Sequence, residues 1–238
     1  MSGHSKWSKV KHQKATTDVA KASAFTRASR AIVVAVKEGG GNTNPIDNFR
    51  LRLAIEKARD VNMPKVNIDR IIEKAKGAEG TSLHSFLYEA YGPFGVALLI
   101  EGTTDNTNRT VSFIKQIIEY AGGTLAAPGA VAYLFTKKGI LTFPKKIQYD
   151  SMLDQAIEAG ADDVIETEDV FEVYTDPTKL DVVKRYFEEK GMASERALII
   201  MKPNVTMAIS PEQQEKIDGM MERLEELEDV DSLYSTLE

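Results

Sequence analysis

The order of strands and helices across residues 131–202 constrains this fold more than any other feature of the chain. Residues 132–135 and 140–143 read as a hairpin across a turn holding Lys137, Lys138 and Gly139. A helix near 151–159 follows, then strands at 163–168 and 170–174, a helix at 180–189 and a strand at 196–201. Counted from the second arm of the hairpin this is β-α-β-β-α-β, the split order of a ferredoxin-like unit, complete in itself. Its flanks are incomplete. Residues 80–130 supply strands at 86–91 and 96–101, around Gly92-Pro93-Phe94-Gly95, and one helix near 108–120. Residues 203–238 supply a strand at 205–209 and a helix at 211–228. Each flank lacks half of a two-layer α+β domain. The expected fold is therefore α+β and multidomain. An N-terminal helical domain (1–79) precedes two α+β domains, one discontinuous (80–130 plus 203–238) and one ferredoxin-like (131–202) inserted into it.

Three helices are expected ahead of these domains. The first begins near residue 17, with Ala22, Phe25, Ile32 and Val36 near one side and Arg27, Arg30 and Lys37 on another. Gly39-Gly40-Gly41 stops it. The second runs from about 45 to 60, and the third is opened by Pro64 and packs through Ile68, Ile71, Ile72 and Ala75.

Charge separates this front end from the rest. Residues 1–77 hold 16 Lys and Arg against 7 Asp and Glu, whereas residues 78–238 hold 14 against 29. Such self-repulsion at the front end points to a polyanionic partner. Lysines spaced as in Lys6, Lys9, Lys11 and Lys14 cannot share one side of a helix, but on an extended arm each can reach a phosphate. Trp7 adds a stacking surface. The candidate nucleic-acid-binding residues are Lys6, Trp7, Lys9, Lys11, His12, Lys14, Lys21, Arg27 and Arg30. A solvated tail is the plainer alternative, and the absence of acids from residues 1–17 favours binding. The third helix carries nothing that marks it as a base-reading recognition helix.

Other chemistry finds little support. With no cysteine, disulfides, zinc–thiolate sites and cysteine nucleophiles are excluded. The three histidines complete no metal pattern, Gly39-Gly40-Gly41 lacks the spacing of a phosphate-binding loop, and no nucleophile elbow or dinucleotide fingerprint occurs. No enzyme, cofactor or metal is expected. No apolar run approaches the length of a membrane span and no secretory signal is read, so a cytoplasmic protein without a membrane partner is expected. Asp105-Asn106-Thr107-Asn108-Arg109-Thr110 reads as a turn and helix cap. Arg109, unfavourably placed for the helix dipole, calls for an outside partner or a neighbouring carboxylate.

Several stretches resemble one known family. They are Gly3-His4-Ser5-Lys6-Trp7, Lys11-His12-Gln13-Lys14-Ala15, Phe25-Thr26, Asn62-Met63-Pro64-Lys65 and Tyr88-Glu89-Ala90-Tyr91-Gly92-Pro93. To these are added Thr104-Asp105-Asn106, Asn108-Arg109-Thr110 and the tail Leu224-Glu225-Glu226-Leu227 with Asp229-Val230. Across nearly its whole length the chain resembles the YebC/PmpR family of bacterial proteins, related to a mitochondrial translational activator. Two places depart from the family pattern: Lys21-Ala22-Ser23-Ala24 is less basic than usual, and Asn42-Thr43-Asn44 lengthens the glycine turn. The resemblance implies a three-domain protein and a non-enzymatic regulator. The partner it implies is promoter DNA for a transcriptional regulator, or ribosomal RNA or tRNA for a factor relieving stalled translation. The acidic α+β domains are candidates for contacting a protein partner.

Overall fold

The computed structural model describes residues 18–76 and 83–238. In chain order the elements are α1 (Asp18–Glu38), α2 (Phe49–Asp60), α3 (Lys65–Lys76), β1 (His84–Tyr91), β2 (Ala97–Thr104), α4 (Thr107–Tyr120) and β3 (Thr124–Ala126). Then come β4 (Phe135–Pro144), α5 (Tyr149–Ala159), β5 (Asp163–Glu166), β6 (Val170–Thr175), α6 (Leu180–Glu189), β7 (Arg196–Pro203), α7 (Pro211–Glu225) and β8 (Val230–Ser235). A helical region thus precedes two antiparallel sheets. The chain forms two compact units: Leu134–Thr206, and the described residues up to Tyr133 together with Met207–Leu237.

The three helices bury their own core. Ala28, Ile32, Ala35 and Val36 of α1 meet Leu51, Ala54, Ile55 and Ala58 of α2, with Met63, Ile68 and Ala75 closing the cluster. α2 begins at Phe49, four residues later than the expected start, because Asn48 caps it. The Asn48 side chain accepts from the Leu51 N–H at 3.0 Å and donates to the carbonyls of Ala35 and Asn42 at 2.9 and 3.0 Å. One buried amide thereby starts a helix and ties its first turn to α1 and the glycine turn.

β1 and β2 pair as the expected hairpin, with Tyr91 opposite Ala97. Their sheet has the order β3-β1-β2-β8. α4 and α7 cover one face of it, burying Leu98, Ile100, Ile114, Ile118, Ile217, Met220, Leu224 and Val230 together. α7 opens with a reciprocal capping box between Ser210 and Gln213. The strand expected at 205–209 is not formed. Val205 is 68% exposed, and that segment contributes only a single bridge between Met207 and Leu237. The strand of this C-terminal segment is instead β8, whose Val230 enters the core while its backbone pairs with β2.

The second sheet has the order β5-β6-β4-β7, all neighbours antiparallel. This is the split βαβ arrangement expected. The hairpin expected at its start is absent, however. β4 is one strand running straight through Lys137, Lys138 and Gly139, which face Met201, Ile200 and Ile199 of β7. Gly139 serves close packing, not a turn. A Cβ there would lie 2.9 Å from Thr175 Cγ2 and 3.1 Å from two carbon atoms of Leu180.

Candidate functional site

Of the candidate nucleic-acid-binding residues, Lys6, Trp7, Lys9, Lys11, His12 and Lys14 lie outside the described residues. Lys21 lies in the first turn of α1, and its side chain is likewise outside them. Arg27 and Arg30 are described, and both bond to groups beside the first sheet. Residues 27, 30, 34 and 37 share one side of α1, separate from the Ala28–Ile32–Ala35 side that fills the helical core. The Arg27 guanidinium donates to the carbonyl of Glu225 at 2.8 Å, and Lys37 Nζ donates to the carbonyl of Leu83 at 3.1 Å. Arg30 is the centre of the group. Its Nη1 pairs with Asp229 Oδ1 at 2.5 Å and lies 3.2 and 3.4 Å from the carbonyls of Glu228 and Thr103.

Asp229 sits in the turn between α7 and β8, its side chain 11% exposed. Its second oxygen accepts from Thr110 Oγ1 at 2.6 Å, Arg109 Nη2 at 3.0 Å and Thr104 Oγ1 at 3.2 Å. Arg109 also donates to Asp105 at 2.7 Å. The expected cap is present: Asn106 accepts from the Arg109 N–H at 3.0 Å. The carboxylate partners of Arg109 answer its unfavourable place at a helix start and hold its guanidinium protonated. Burial alone would raise the Asp229 carboxyl, but the bonds from Thr110, Arg109 and Arg30 outweigh it and hold the group below the usual range.

Gly102 makes this approach possible. At a register shift between β2 and β8, a Cβ on Gly102 would lie 1.9 Å from the Asp229 carbonyl oxygen and 2.4 Å from the Phe86 ring. Beside it, Asp231 accepts from Thr103 Oγ1 at 3.0 Å. Burial pushes the Asp231 carboxyl up, against the field of Lys57, Arg27 and Arg30.

A second carboxylate is as heavily bonded. Glu89 on β1 is 6% exposed and accepts the backbone N–H groups of Gly129, Val131 and Ala132 at 2.5, 2.7 and 2.8 Å. Asp229 and Glu89 were not among the candidate site residues, although both lie in stretches that carry the family resemblance.

The basic residues left facing outward are elsewhere. On α3, Lys65, Arg70, Lys74 and Lys76 are exposed, as is Arg59 at the end of α2. No described partner pairs with any of the five. Arg70 and Lys74 lie one turn apart on one side of α3. Lys65 and Lys76, about three turns apart, lie on the other. Asp69, Glu73 and the exposed Val66 lie between. Arg50 is paired with Glu38, and Arg52 lies over the Phe49 ring. Among the described residues no cluster of His, Asp or Glu is arranged to hold a metal ion, and no helix is long and apolar enough to cross a membrane.

Comparison with known proteins places this arrangement. The family model described as the TACO1/YebC protein N-terminal domain matches residues 5–78, and that described as the TACO1/YebC second and third domain matches residues 83–237. The chain belongs to the TACO1/YebC family. A relative from Trichlorobacter lovleyi, named a probable transcriptional regulatory protein, is 42% identical over 100% of this chain and 96% of its own length. One of the same name from Caldanaerobacter subterraneus is 40% identical over 100% and 98%. The crystal structure of a conserved hypothetical protein from Aquifex aeolicus is similar in fold, with a TM-score of 0.87, 40% identity and coverage of 98% and 97% of the two chains. In this TACO1/YebC chain, the helical region and the first sheet meet through Arg27, Arg30 and Asp229.

Proposed function

We propose that this protein is a non-enzymatic, DNA-binding transcriptional regulator that grips the phosphate backbone with its N-terminal arm and helical domain. The observation that carries this reading is the division of the basic residues. Arg27, Arg30 and Lys37 of α1 are bonded internally, while Lys65, Arg70, Lys74 and Lys76 of α3 are exposed and pair with no described residue. The arm, with Lys6, Lys9, Lys11 and Lys14, adds cations without a single acid. The regulatory names of the relatives support a regulatory role.

Phosphate contacts leave a signature in salt. If about six cations neutralise phosphates, log K falls with log salt at a slope of about −5 on duplex DNA. The test is fluorescence anisotropy of a labelled duplex titrated with protein at several salt concentrations. Replacing Lys65, Arg70 and Lys74 by Ala flattens the slope by about 2.5, as does replacing Lys9, Lys11 and Lys14. Unchanged slopes for both sets refute the reading.

One observation favours ribosomal RNA as the second reading. The acids Asp69 and Glu73 interrupt the outward side of α3, which suits contact with a folded RNA backbone better than base readout in a major groove. Sucrose-gradient sedimentation distinguishes the two. Co-migration with ribosomes after DNA removal, lost on deleting residues 2–14, favours translation.

A further inference from the structure

The joint between the helical region and the first sheet is built differently from either body. Each body has its own apolar core, one of Ala28, Ile32, Leu51 and their neighbours, the other of Leu98, Ile100, Ile114 and Leu224 with theirs. The bonds described across the joint are polar: Arg27 to the Glu225 carbonyl, Lys37 to the Leu83 carbonyl, Ser85 to Glu38, and Arg30 to Asp229 and two carbonyls. These groups can exchange protein partners for water or for another anion at little cost, as an apolar core cannot.

The Asp229 socket is built to survive release. Removing one partner of a buried ion pair is normally severe, because it strands the other charge. Here Arg109, Thr110 and Thr104, all on the sheet side, still neutralise and bond the Asp229 carboxylate when Arg30 leaves. Arg30 in turn carries a guanidinium that takes phosphate by the same geometry as carboxylate. It lies on the helix that follows the basic N-terminal sequence, with Lys21 six residues before Arg27. Asp231, pushed up by burial, sits in the lowering field of Lys57, Arg27 and Arg30 and loses that field when those residues withdraw.

We propose that Arg30 and Asp229 form a releasable latch that holds the helical region on the first sheet, and that a bound nucleic acid opens it by competing for Arg27 and Arg30. The competing half rests on the nucleic-acid reading above, whereas the latch does not. In the closed form Arg27 and Arg30 are held by the protein itself. In the open form they join the phosphate-binding set and the helical region turns independently of the sheet.

The chain has no cysteine, so two introduced thiols carry spin labels at defined places only. Glu73→Cys on α3 and Glu215→Cys on α7 are exposed positions on the two bodies. Pulsed dipolar spectroscopy on the full chain at low salt gives one narrow distance distribution when the latch is closed. Asp229→Asn and, separately, Arg30→Gln broaden and lengthen it, with unchanged circular dichroism showing that both variants fold. Duplex DNA added to the otherwise unmutated pair moves its distribution to that of the variants. Anisotropy on the same samples reports whether the DNA is bound. If both folded variants keep the narrow distribution, the latch is refuted. If DNA binds and the distance stays narrow, the competition is refuted. If DNA does not bind, the DNA-binding reading and the competition by DNA fail together, while the variants still decide the latch.

Discussion

Replacing Glu89 by Gln isolates what one carboxylate does for the loop it holds. Glu89 receives three backbone N–H groups, Gly129 on one oxygen and Val131 and Ala132 on the other. Gln keeps one acceptor oxygen. If that oxygen faces Val131 and Ala132, the new amide nitrogen faces the Gly129 N–H, donor against donor. Hydrogen bonds to a charged group contribute about 1.5–3 kcal/mol each, and a stranded buried donor costs about 1–3 kcal/mol. Losing the charge and stranding one donor gives a local loss of about 3 kcal/mol, or roughly a hundredfold. Hydrogen exchange by mass spectrometry reads this directly. The amides of residues 129–132 exchange about a hundredfold faster in the variant while the helical core is unaffected. The pH dependence supplies a second check. Burial alone would raise the Glu89 carboxyl, but the three backbone N–H groups outweigh it, and its folded value lies below the ordinary one. Its contribution is therefore complete above the ordinary glutamate range and is lost as pH falls through the depressed value. The difference between the parent chain and the Glu89→Gln variant shrinks with acidification over that window. Unchanged protection of residues 129–132, or a difference independent of pH, refutes the assignment.

Three further outcomes follow from the structure. Gly102→Ala drives a Cβ into the Asp229 carbonyl and the Phe86 ring. It lowers stability by about 3 kcal/mol or more and displaces the β2–β8 pairing, seen as lost amide protection in β8. Asn48→Asp keeps the cap to Leu51 but removes both donors and turns a carboxylate on the Ala35 and Asn42 carbonyls. Its urea midpoint falls by the equivalent of about 3 kcal/mol, whereas a loss below about 1 kcal/mol contradicts the donor role. Ser210→Ala removes half of the capping box of α7 and costs about 1 kcal/mol in thermal unfolding, with no effect on nucleic-acid affinity.

Much of the fold was legible because it rests on local rules. The glycine–proline turn between β1 and β2, the cap at Asn106 and the bounds of α6 all follow from residues within one turn of the place they act. The errors came where a residue answers to something distant. Gly139 beside two lysines looks like a turn, but its missing Cβ makes room for Thr175 and Leu180, far along the chain. Residues 205–209 have the apolar composition of a strand, yet the free edge of β2 is taken by β8, whose Asp229-Val230 start resembles a loop in isolation. Asn48 likewise reads as one more polar residue after a glycine turn until α1 brings the Ala35 carbonyl to it.

Arg27 and Arg30 show the same limit at the candidate site. Helical spacing correctly puts them on a different side from Ile32 and Val36. The same spacing is produced by a side that meets solvent, one that meets phosphate and one that meets the carbonyl ends of another helix. Arginine suits all three, because its fork donates to any oxygen in its plane. What separates the cases is the partner's position: Glu225, Glu228 and Asp229 stand far along the chain, 198 or 199 residues away, and reach α1 only once α7 has packed on its sheet. The excess of basic residues in the front end therefore overstates the charge available to a polyanion in the closed form. Under the latch proposed above, the share held by Asp229 and its neighbouring carbonyls is the part that a nucleic acid wins by opening the joint.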